Sequence, residues 1–408
     1  MDHAAQVMER LETLGRISDE PGRLTREFAS PAMRRANELV KSWMAQAGMT
    51  TRADAVGNLI GHSPGAHDSS KLLLLGSHLD TVRDAGKFDG ALGVLLAIAY
   101  VEQLKASGQT VDFGIDVIGF ADEEGLRYQI SYLGSRAMTG QLNETDLERV
   151  DANGITMAAA IAEFGGDPSQ LNSCQMGSET LLGYVEVHVE QGPVLEQKGH
   201  AVGVVTAIAG QTRVSVTFEG KSGHAGTTPM KLRCDALCGA AEFILQVERY
   251  AKLQPGLVAT VGQVTLEPNV SNVIAAHCRL TFDVRHQIDR IRTQACQDLR
   301  LFATGLQQKR GLTMTWQTAQ ETASVPCSVE LSNLMRKAAQ RHQAEVIDLP
   351  SGAGHDAAIM ATIAPVAMLF VRCRDGLSHH PAEFASVEDI RIALEVLVDF
   401  VLSLTSTT

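Results

Sequence analysis

Cysteine is sparse and unpatterned. The 408 residues hold seven, at positions 174, 234, 238, 278, 296, 327 and 373, with no C-x-x-C pair and an odd total. That spacing argues against a disulfide framework and predicts reduced thiols in a cytoplasmic protein. Basic residues are outnumbered, 35 Lys and Arg against 47 Asp and Glu, for a net charge of −12. Nucleic acid is therefore not an expected partner, because binding a phosphate backbone needs clustered cations. Local binding of a small anion stays open. No apolar run approaches the roughly 20 residues of a membrane span, so no membrane partner is expected. The opening MDHAAQ lacks the basic and then apolar stretch of a signal peptide. Internal repeats and low-complexity tracts are missing as well. What remains is 45% hydrophobic and 20% charged residues, an ordinary globular balance over one large or two ordinary domains.

Ser30-Pro31 reads as an N-cap followed by proline at the first helical position, with Gly48 ending the helix. Residues 71–75 (KLLLL) read as a buried strand that stops at Gly76, and a helical pattern follows from Gly90 to about Ala106. Residues 111–120, Tyr184 to Val189 and Val366 to Cys373 are strand-like, and a last helix begins near Ser386, with Asp389 completing a capping box. Strands alternating with helices predict an α/β fold with functional groups collecting at strand carboxyl ends. Between 207 and 319 the pattern changes. Strand Thr212–Glu219, a helical stretch from about Met230 to Leu253, strands Leu257–Leu266 and Cys278–Arg285, helix Ile288–Gln307 and strand Leu312–Thr318 follow in turn. That β-α-β-β-α-β order is the ferredoxin-like α+β unit. It predicts a domain 207–319 inserted into a discontinuous domain made of 1–206 and 320–408.

Five short stretches carry residue types that ligate divalent metal, each at or just beyond a strand: GSHLD at 76–80, FDG at 88–90, DEEG at 122–125, EVHVE at 186–190 and GLSHHPAE at 376–383. They offer the imidazoles of His78, His188 and His379 and the carboxylates of Asp89 and Glu124, with Glu123 left over. Imidazole and carboxylate ligands suit zinc, manganese, nickel or cobalt. Each stretch is weak alone. Asp89-Gly90 is also an ordinary turn or helix N-cap, His188 among valines is also an ordinary core histidine, and Glu123-Glu124 is also an exposed acidic loop. Together they predict a two-metal hydrolase site with a spare carboxylate for proton transfer. Asp80 lies two residues beyond His78, where it can reach the ring and fix its tautomer.

The motifs GSHLDTV, KFDG, ADEEG, EVHVEQGPVLE, GHAGTTPM, SNVI, DVR, SGAGHDA and DGLSHHPAE resemble the M20-type metallohydrolases, in the amidase/carbamoylase branch. The resemblance runs from about Gly15 to the last helix. His188 selects that branch, since M20 peptidases carry a carboxylate at this ligand position. The likeness implies a metal-dependent exopeptidase-like catalytic domain with an inserted dimerisation or lid domain. It implies two divalent ions per subunit (Mn2+ or Zn2+, with Ni2+ or Co2+ possible), one held by His78 and His188, the other by Glu124 and His379, with Asp89 between them. Glu123 becomes the general base and acid, and Asp80 a supporting group. His224 would reach the partner subunit's site and stabilise the oxyanion, implying a homodimer. Gln191, Arg213, Asn272 and Arg285 would contact a small-molecule ureido carboxylate, arginine suiting this task through its planar fork. His355 is read as structural or supporting, His380 as a bystander to His379, and Glu383 as a supporting carboxylate. Two departures, Asp84-Ala-Gly86 where the family often has Gly-Gly and Ala275-Ala276 where it often has proline, touch no ligand.

The wording DEEGLRYQISYLGS, AGQTR and LFVRCRDGLSHHPAE is closest to allantoate amidohydrolases, implying conversion of allantoate to ureidoglycine, carbon dioxide and ammonia. An N-carbamoyl-L-amino-acid hydrolase is the alternative, with ureidoglycolate hydrolase and β-ureidopropionase in the same branch. A peptidase or aminoacylase is disfavoured by His188. A non-catalytic metal-binding scaffold is disfavoured because no ligand, and not Glu123, is lost.

Overall fold

In the computed structural model, which describes residues 2–66 and 70–405, the chain divides into two compact units. The first comprises the chain through Thr206, Cys327–Leu349 and Ala353–Thr408; the second comprises Ala207–Pro326 with Pro350–Gly352. Strand Thr313–Thr322 runs on past Thr318, which carries the second unit beyond position 319.

The first unit is built on a nine-stranded sheet, in which Thr50–Ala53, Leu59–Ser63, Gly114–Phe120, Leu72–His78, Leu181–Val189, Val366–Val371 and Val202–Ile208 lie side by side in that order. The central four are mutually parallel, with His78 level with Phe120 and Phe370 level with His188. Their carboxyl ends therefore open along one edge of the sheet. The chain leaves Leu72–His78 through helix Ala91–Ser107 and returns on one side, as Gly114–Phe120, while Leu181–Val189 lies on the other. A reversal of strand order of this kind leaves a crevice beyond the strand ends.

The strands read as unbroken apolar runs because both faces are covered. Helix Ala91–Ser107 is buried at every residue from Ala91 to Val101 and packs on the sheet beneath helices His3–Leu14 and Val387–Thr405. A helix apolar all round is stable only when enclosed in this way. The strand expected to stop at Gly76 continues to His78. Glycine there is required by a close approach, since a Cβ would lie 2.3 Å from the Ile118 carbonyl oxygen of the neighbouring strand. Helix Pro31–Gln46 starts from Ser30, whose hydroxyl accepts Met33 N. At the last helix, Ser386 and Asp389 bond reciprocally, Asp389 N to Ser386 Oγ and Ser386 Oγ to Asp389 Oδ2.

The second unit is a four-stranded antiparallel sheet in the order Thr313–Thr322, Gly210–Glu219, His277–His286, Val258–Glu267, covered on one face by helices Ala236–Leu253 and Asp289–Arg310. The helical stretch expected from Met230 begins only at Ala236: Met230–Leu232 form a separate single turn after Pro229, and Asp235 caps the helix through Cys238 N. Val214, Val216, Phe218, Leu280 and Phe282 point into the core beneath the helices with Phe243 and Leu299. The strand period of two then puts Gln211, Arg213, Asp283 and Arg285 on the opposite, helix-free face. Among the described residues no helix is long and apolar enough to cross a membrane.

Candidate metal centre

The four parallel strands deliver the centre. His78 is the last residue of its strand and His188 the last but one of the neighbouring strand. The two rings lie 5.8 Å apart. His78 Nδ1 contacts the Asp80 carbonyl oxygen at 3.0 Å, and His188 Nδ1 contacts the Val189 carbonyl oxygen at 2.9 Å. A carbonyl only accepts, so each Nδ1 bears a proton and Nε2 is the nitrogen each ring can offer to a metal. Both Nε2 atoms face Asp89: its Oδ1 lies 3.2 Å from His188 Nε2 and 4.0 Å from His78 Nε2.

Asp89 does not cap the helix behind it. Gly90, at φ +63°, occupies the N-cap position with no side-chain bond, which leaves the Asp89 carboxylate turned to the histidines. Any Cβ at Gly90 would lie 2.5 Å from the His78 ring. On its other side Asp89 Oδ2 is 3.2 Å from His379 Nε2, and His379 Nε2 is 3.3 Å from Glu124 Oε1. Asp89 is thus common to two clusters whose ligand atoms all fall within 4.8 Å, His78–Asp89–His188 and Asp89–Glu124–His379; a third, His78–Glu123–Glu124, adds Glu123.

Supporting contacts fix the loops. Asp80 accepts Glu123 N and Glu124 N on its two carboxylate oxygens, both at 3.0 Å, so the residue expected to steady His78 also sets the acidic pair. Its carboxylate stands 3.4 Å from His78 Nδ1, behind the shorter contact made by its own carbonyl. Glu383 accepts Phe88 N and Asp89 N at 2.9 Å with one oxygen and Ser378 Oγ at 2.7 Å with the other. It thereby ties the Asp89 loop to the His379 loop. Gln191 Nε2 donates to Asp89 Oδ1 at 3.2 Å and to Ser378 Oγ at 3.3 Å. Gln191 and His379 both hold a positive φ, 58° and 55°, a conformation that costs a non-glycine residue about 1–3 kcal/mol and persists only where neighbours enforce it. His355 stacks edge-on against His188 with centroids 4.6 Å apart, and Glu186 accepts Ser77 Oγ and Ala357 N. His380 turns back on its own loop, where its Nδ1 accepts Ala382 N.

The electrostatics are those of a cation site. Burial first, and Glu124 second, push the Glu123 carboxyl well above its ordinary range. The bonds to Asp89 and Glu124 raise His379 to about 10. At His78 burial favours the neutral ring, but Asp80, Glu123 and Asp89 prevail and the pKa rises well above its ordinary value. Asp89 Oδ2 is buried, and the His379 ring at 3.2 Å is its close partner. So many buried carboxylates are costly without positive charge, and protonated imidazoles supply it here. A buried carboxylate shared by two clusters of nitrogen and oxygen donors fits borderline divalent cations.

The remaining predicted residues lie in the second unit. His224 and Val273 pair across a two-stranded ribbon, with Asn272 adjacent, and His224 Nδ1 accepts Gly226 N. Arg213 and Arg285 converge on Asp283. Arg213 Nε donates to it at 3.1 Å, Arg285 Nε at 2.8 Å and Arg285 Nη2 at 3.2 Å, while Arg285 Nη1 donates to the Gly352 carbonyl at 2.6 Å. They border a cavity of about 890 Å³ on the helix-free face of the sheet. Asp283 was not singled out in the sequence. Its signal was available, because it shares the DVR strand's outward face with Arg285.

The model of peptidase family M20/M25/M40 matches residues 74–403. The allantoate deiminase of Arabidopsis thaliana is 40% identical to this chain over 426 residues, covering 97% of the chain and 81% of that protein. An N-carbamoyl-L-amino acid amidohydrolase of Geobacillus stearothermophilus is 39% identical over 398 residues, covering 97% of each. Among solved structures, an amidase of the hydantoinase/carbamoylase family from Burkholderia multivorans superposes with a TM-score of 0.92 at 31% identity, covering 98% of this chain and 97% of that one.

Proposed function

Because the chain belongs to the M20 family, in its hydantoinase/carbamoylase amidase branch, and is a metal-dependent amidohydrolase of the allantoate and N-carbamoyl amino acid type, we propose that its centre holds two divalent cations and hydrolyses allantoate. The observation that carries this reading is Asp89, one carboxylate shared by two ligand clusters, with Glu123 beside them. His78 and His188 would hold one cation, Glu124 and His379 the other. Bound there, the cations supply Lewis acidity, polarising a carbonyl and lowering the pKa of water.

The chain's own groups do the rest. Glu123, its backbone fixed by Asp80, takes a proton from the attacking water and returns it to the departing nitrogen. One ureido carbonyl gains the water oxygen, its C–N bond breaks and ammonia leaves; the carbamate left behind loses carbon dioxide to give ureidoglycine. Arg285 and Arg213, with Asn272 and Gln191, bind the substrate carboxylate and amide groups. His224 contributes an oxyanion contact to the site of a second copy, so the active species is a homodimer. The 40% identity to the allantoate deiminase of Arabidopsis thaliana supports allantoate as the substrate. The near-equal identity to the carbamoylase supports N-carbamoyl-L-amino acids as the second reading.

The test is ammonia release by the manganese-loaded protein from allantoate, a panel of N-carbamoyl-L-amino acids and ureidoglycolate. Release from allantoate alone, abolished by a chelator and restored by Mn2+, is expected. Turnover of carbamoyl amino acids with allantoate inert would move the substrate to the second reading, and no metal-dependent turnover would overturn the site.

A further inference from the structure

One fully buried cation lies behind the ligands, and no motif points to it. Arg26 is 1% exposed, in an irregular segment before the helix Pro31–Gln46. Its bonds converge on one short turn. Arg26 N donates to Thr81 Oγ1 at 2.9 Å, Thr81 N donates to the Arg26 carbonyl at 3.0 Å, and Arg26 Nε donates to the Leu79 carbonyl at 2.9 Å. The guanidinium is anchored at its far end by the Leu14 carbonyl at 2.8 Å and the Ile17 carbonyl at 3.2 Å. Arg26 thus grips the residue before Asp80 and the residue after it.

Asp80 is the residue on which the centre's alignment rests. Its carbonyl holds the His78 proton on Nδ1, and its carboxylate holds the backbone of Glu123 and Glu124. Three of the predicted working groups therefore depend on one residue whose backbone has no regular structure of its own, since the strand ends at His78. A turn beyond a strand end keeps its geometry only if something outside it supplies the bonds. Arg26 supplies two of them through its backbone and one through Nε, and the fork that reaches Leu79 with Nε also reaches Leu14 and Ile17 with Nη1, a span that a lysine's single ammonium cannot copy. Burial lowers the guanidinium to about 10, with Asp80 and Asp19 opposing the fall, so at neutral pH it stays charged and offsets a buried carboxylate.

We propose that Arg26 is a positioning residue for the metal centre, clamping residues 79–81 so that Asp80 orients His78, Glu123 and Glu124 together. The inference rests on the metal reading of the site and adds to it a group that touches neither cation nor substrate. Groups one contact removed from the ligands, as Asp80 is, typically change metal affinity or activity by about 10–100-fold, and Arg26 acts through that group.

The experiment compares Mn2+ binding to metal-free wild type, R26K, T81V and R10K by calorimetric titration, followed by kcat and KM on the turned-over ureido substrate. R10K is the control, because Arg10 is also buried but its hydrogen bonds go to Glu102, toward the end of helix Ala91–Ser107 away from Asp89. R26K should bind Mn2+ about 10–100-fold more weakly and lose kcat with KM little changed. T81V, which removes only the hydroxyl acceptor, should move both quantities in the same direction by a smaller factor. R10K should lower the melting temperature and leave both unchanged. Should R26K fail to fold, T81V carries the decision alone. R26K and T81V binding Mn2+ like wild type, or R10K weakening it as much as they do, would overturn the inference. Failure of wild type to bind Mn2+ would instead remove the metal reading beneath it, so the two failures are distinct.

Discussion

Asp89 sets the charge balance of the centre. Its carboxylate is opposed by three imidazoles, and bonds from His188 and His379 outweigh the cost of burial and hold it well below the ordinary carboxylate range. The metal-free site is consequently a proton store. His379, raised to about 10, carries its proton at pH 7, and a divalent ion must displace it. Loading with Mn2+ near neutrality should therefore release protons, and affinity should strengthen as pH rises. Binding heats measured in buffers of different ionisation enthalpy check this; heats independent of the buffer would show that the imidazoles are already neutral. Glu123 lies beside the ligands rather than among the pair of clusters that share Asp89. Glu123→Gln should keep the metal content of wild type and lose about 10²–10⁴-fold in kcat, the usual worth of a general acid–base group. Metal analysis alongside ammonia release separates that outcome from loss of the cations.

At the scale of elements, the centre depends on strand ends brought into line and on loops tied to one another. Gly76 lets two parallel strands approach, with the Ile118 carbonyl 2.3 Å from where a Cβ would stand. Gly76→Ala should cost about 1–3 kcal/mol, as overpacking of a close-packed interior does, read as a lower denaturant midpoint at unchanged slope. Glu383 ties two loops by three hydrogen bonds, and Gly86 leaves room for it, since a Cβ there would fall 2.3 Å from the Glu383 Cβ. Glu383→Ala should weaken Mn2+ binding by about 10–100-fold with little change in strand stability; unchanged affinity would mean the loops hold their positions unaided. Both glycines were visible in the sequence, but nothing there said which neighbour each one admits, the Ile118 backbone at Gly76 and the Glu383 side chain at Gly86. Helix Ala91–Ser107 was legible for the opposite reason, because an unbroken apolar helical run can only be an enclosed helix.

For the whole molecule, divalent ions held at the proposed centre would belong to the folding balance. A ligand that binds only the native state stabilises it by about 4 kcal/mol when present at 1,000 times its Kd. Chelation should lower the melting temperature, and Mn2+ should restore it in a concentration-dependent way. A melting curve indifferent to both would argue that the carboxylate cluster is balanced by protons alone. The second unit has its own core around Phe218, Phe243 and Phe282, so local damage to its sheet should leave the cations bound. Arg285→Ala should raise KM for a ureido carboxylate while Mn2+ affinity stays at the wild-type value, a split that kinetics and titration read separately.

The sequence by itself determined the four strands that lead to the site, the β-α-β-β-α-β order between 207 and 319 and the residue types at the strand ends, but not the flanking strands Thr50–Ala53, Leu59–Ser63 and Val202–Ile208. These follow from local rules: apolar periodicity, turn residues and the ligand chemistry of histidine and carboxylate. Only the tertiary structure decided how the ligands combine. Asp89 and Glu383 are separated by 294 residues yet joined by a hydrogen bond, and no periodicity encodes such a contact. It decided that Asp80 holds the acidic pair as well as His78, that Asp283 gathers Arg213 and Arg285, and that Arg26 clamps the turn between strand and site. An isolated arginine in an irregular segment has no pattern to announce it, because its role is set by which carbonyls the fold brings to its fork.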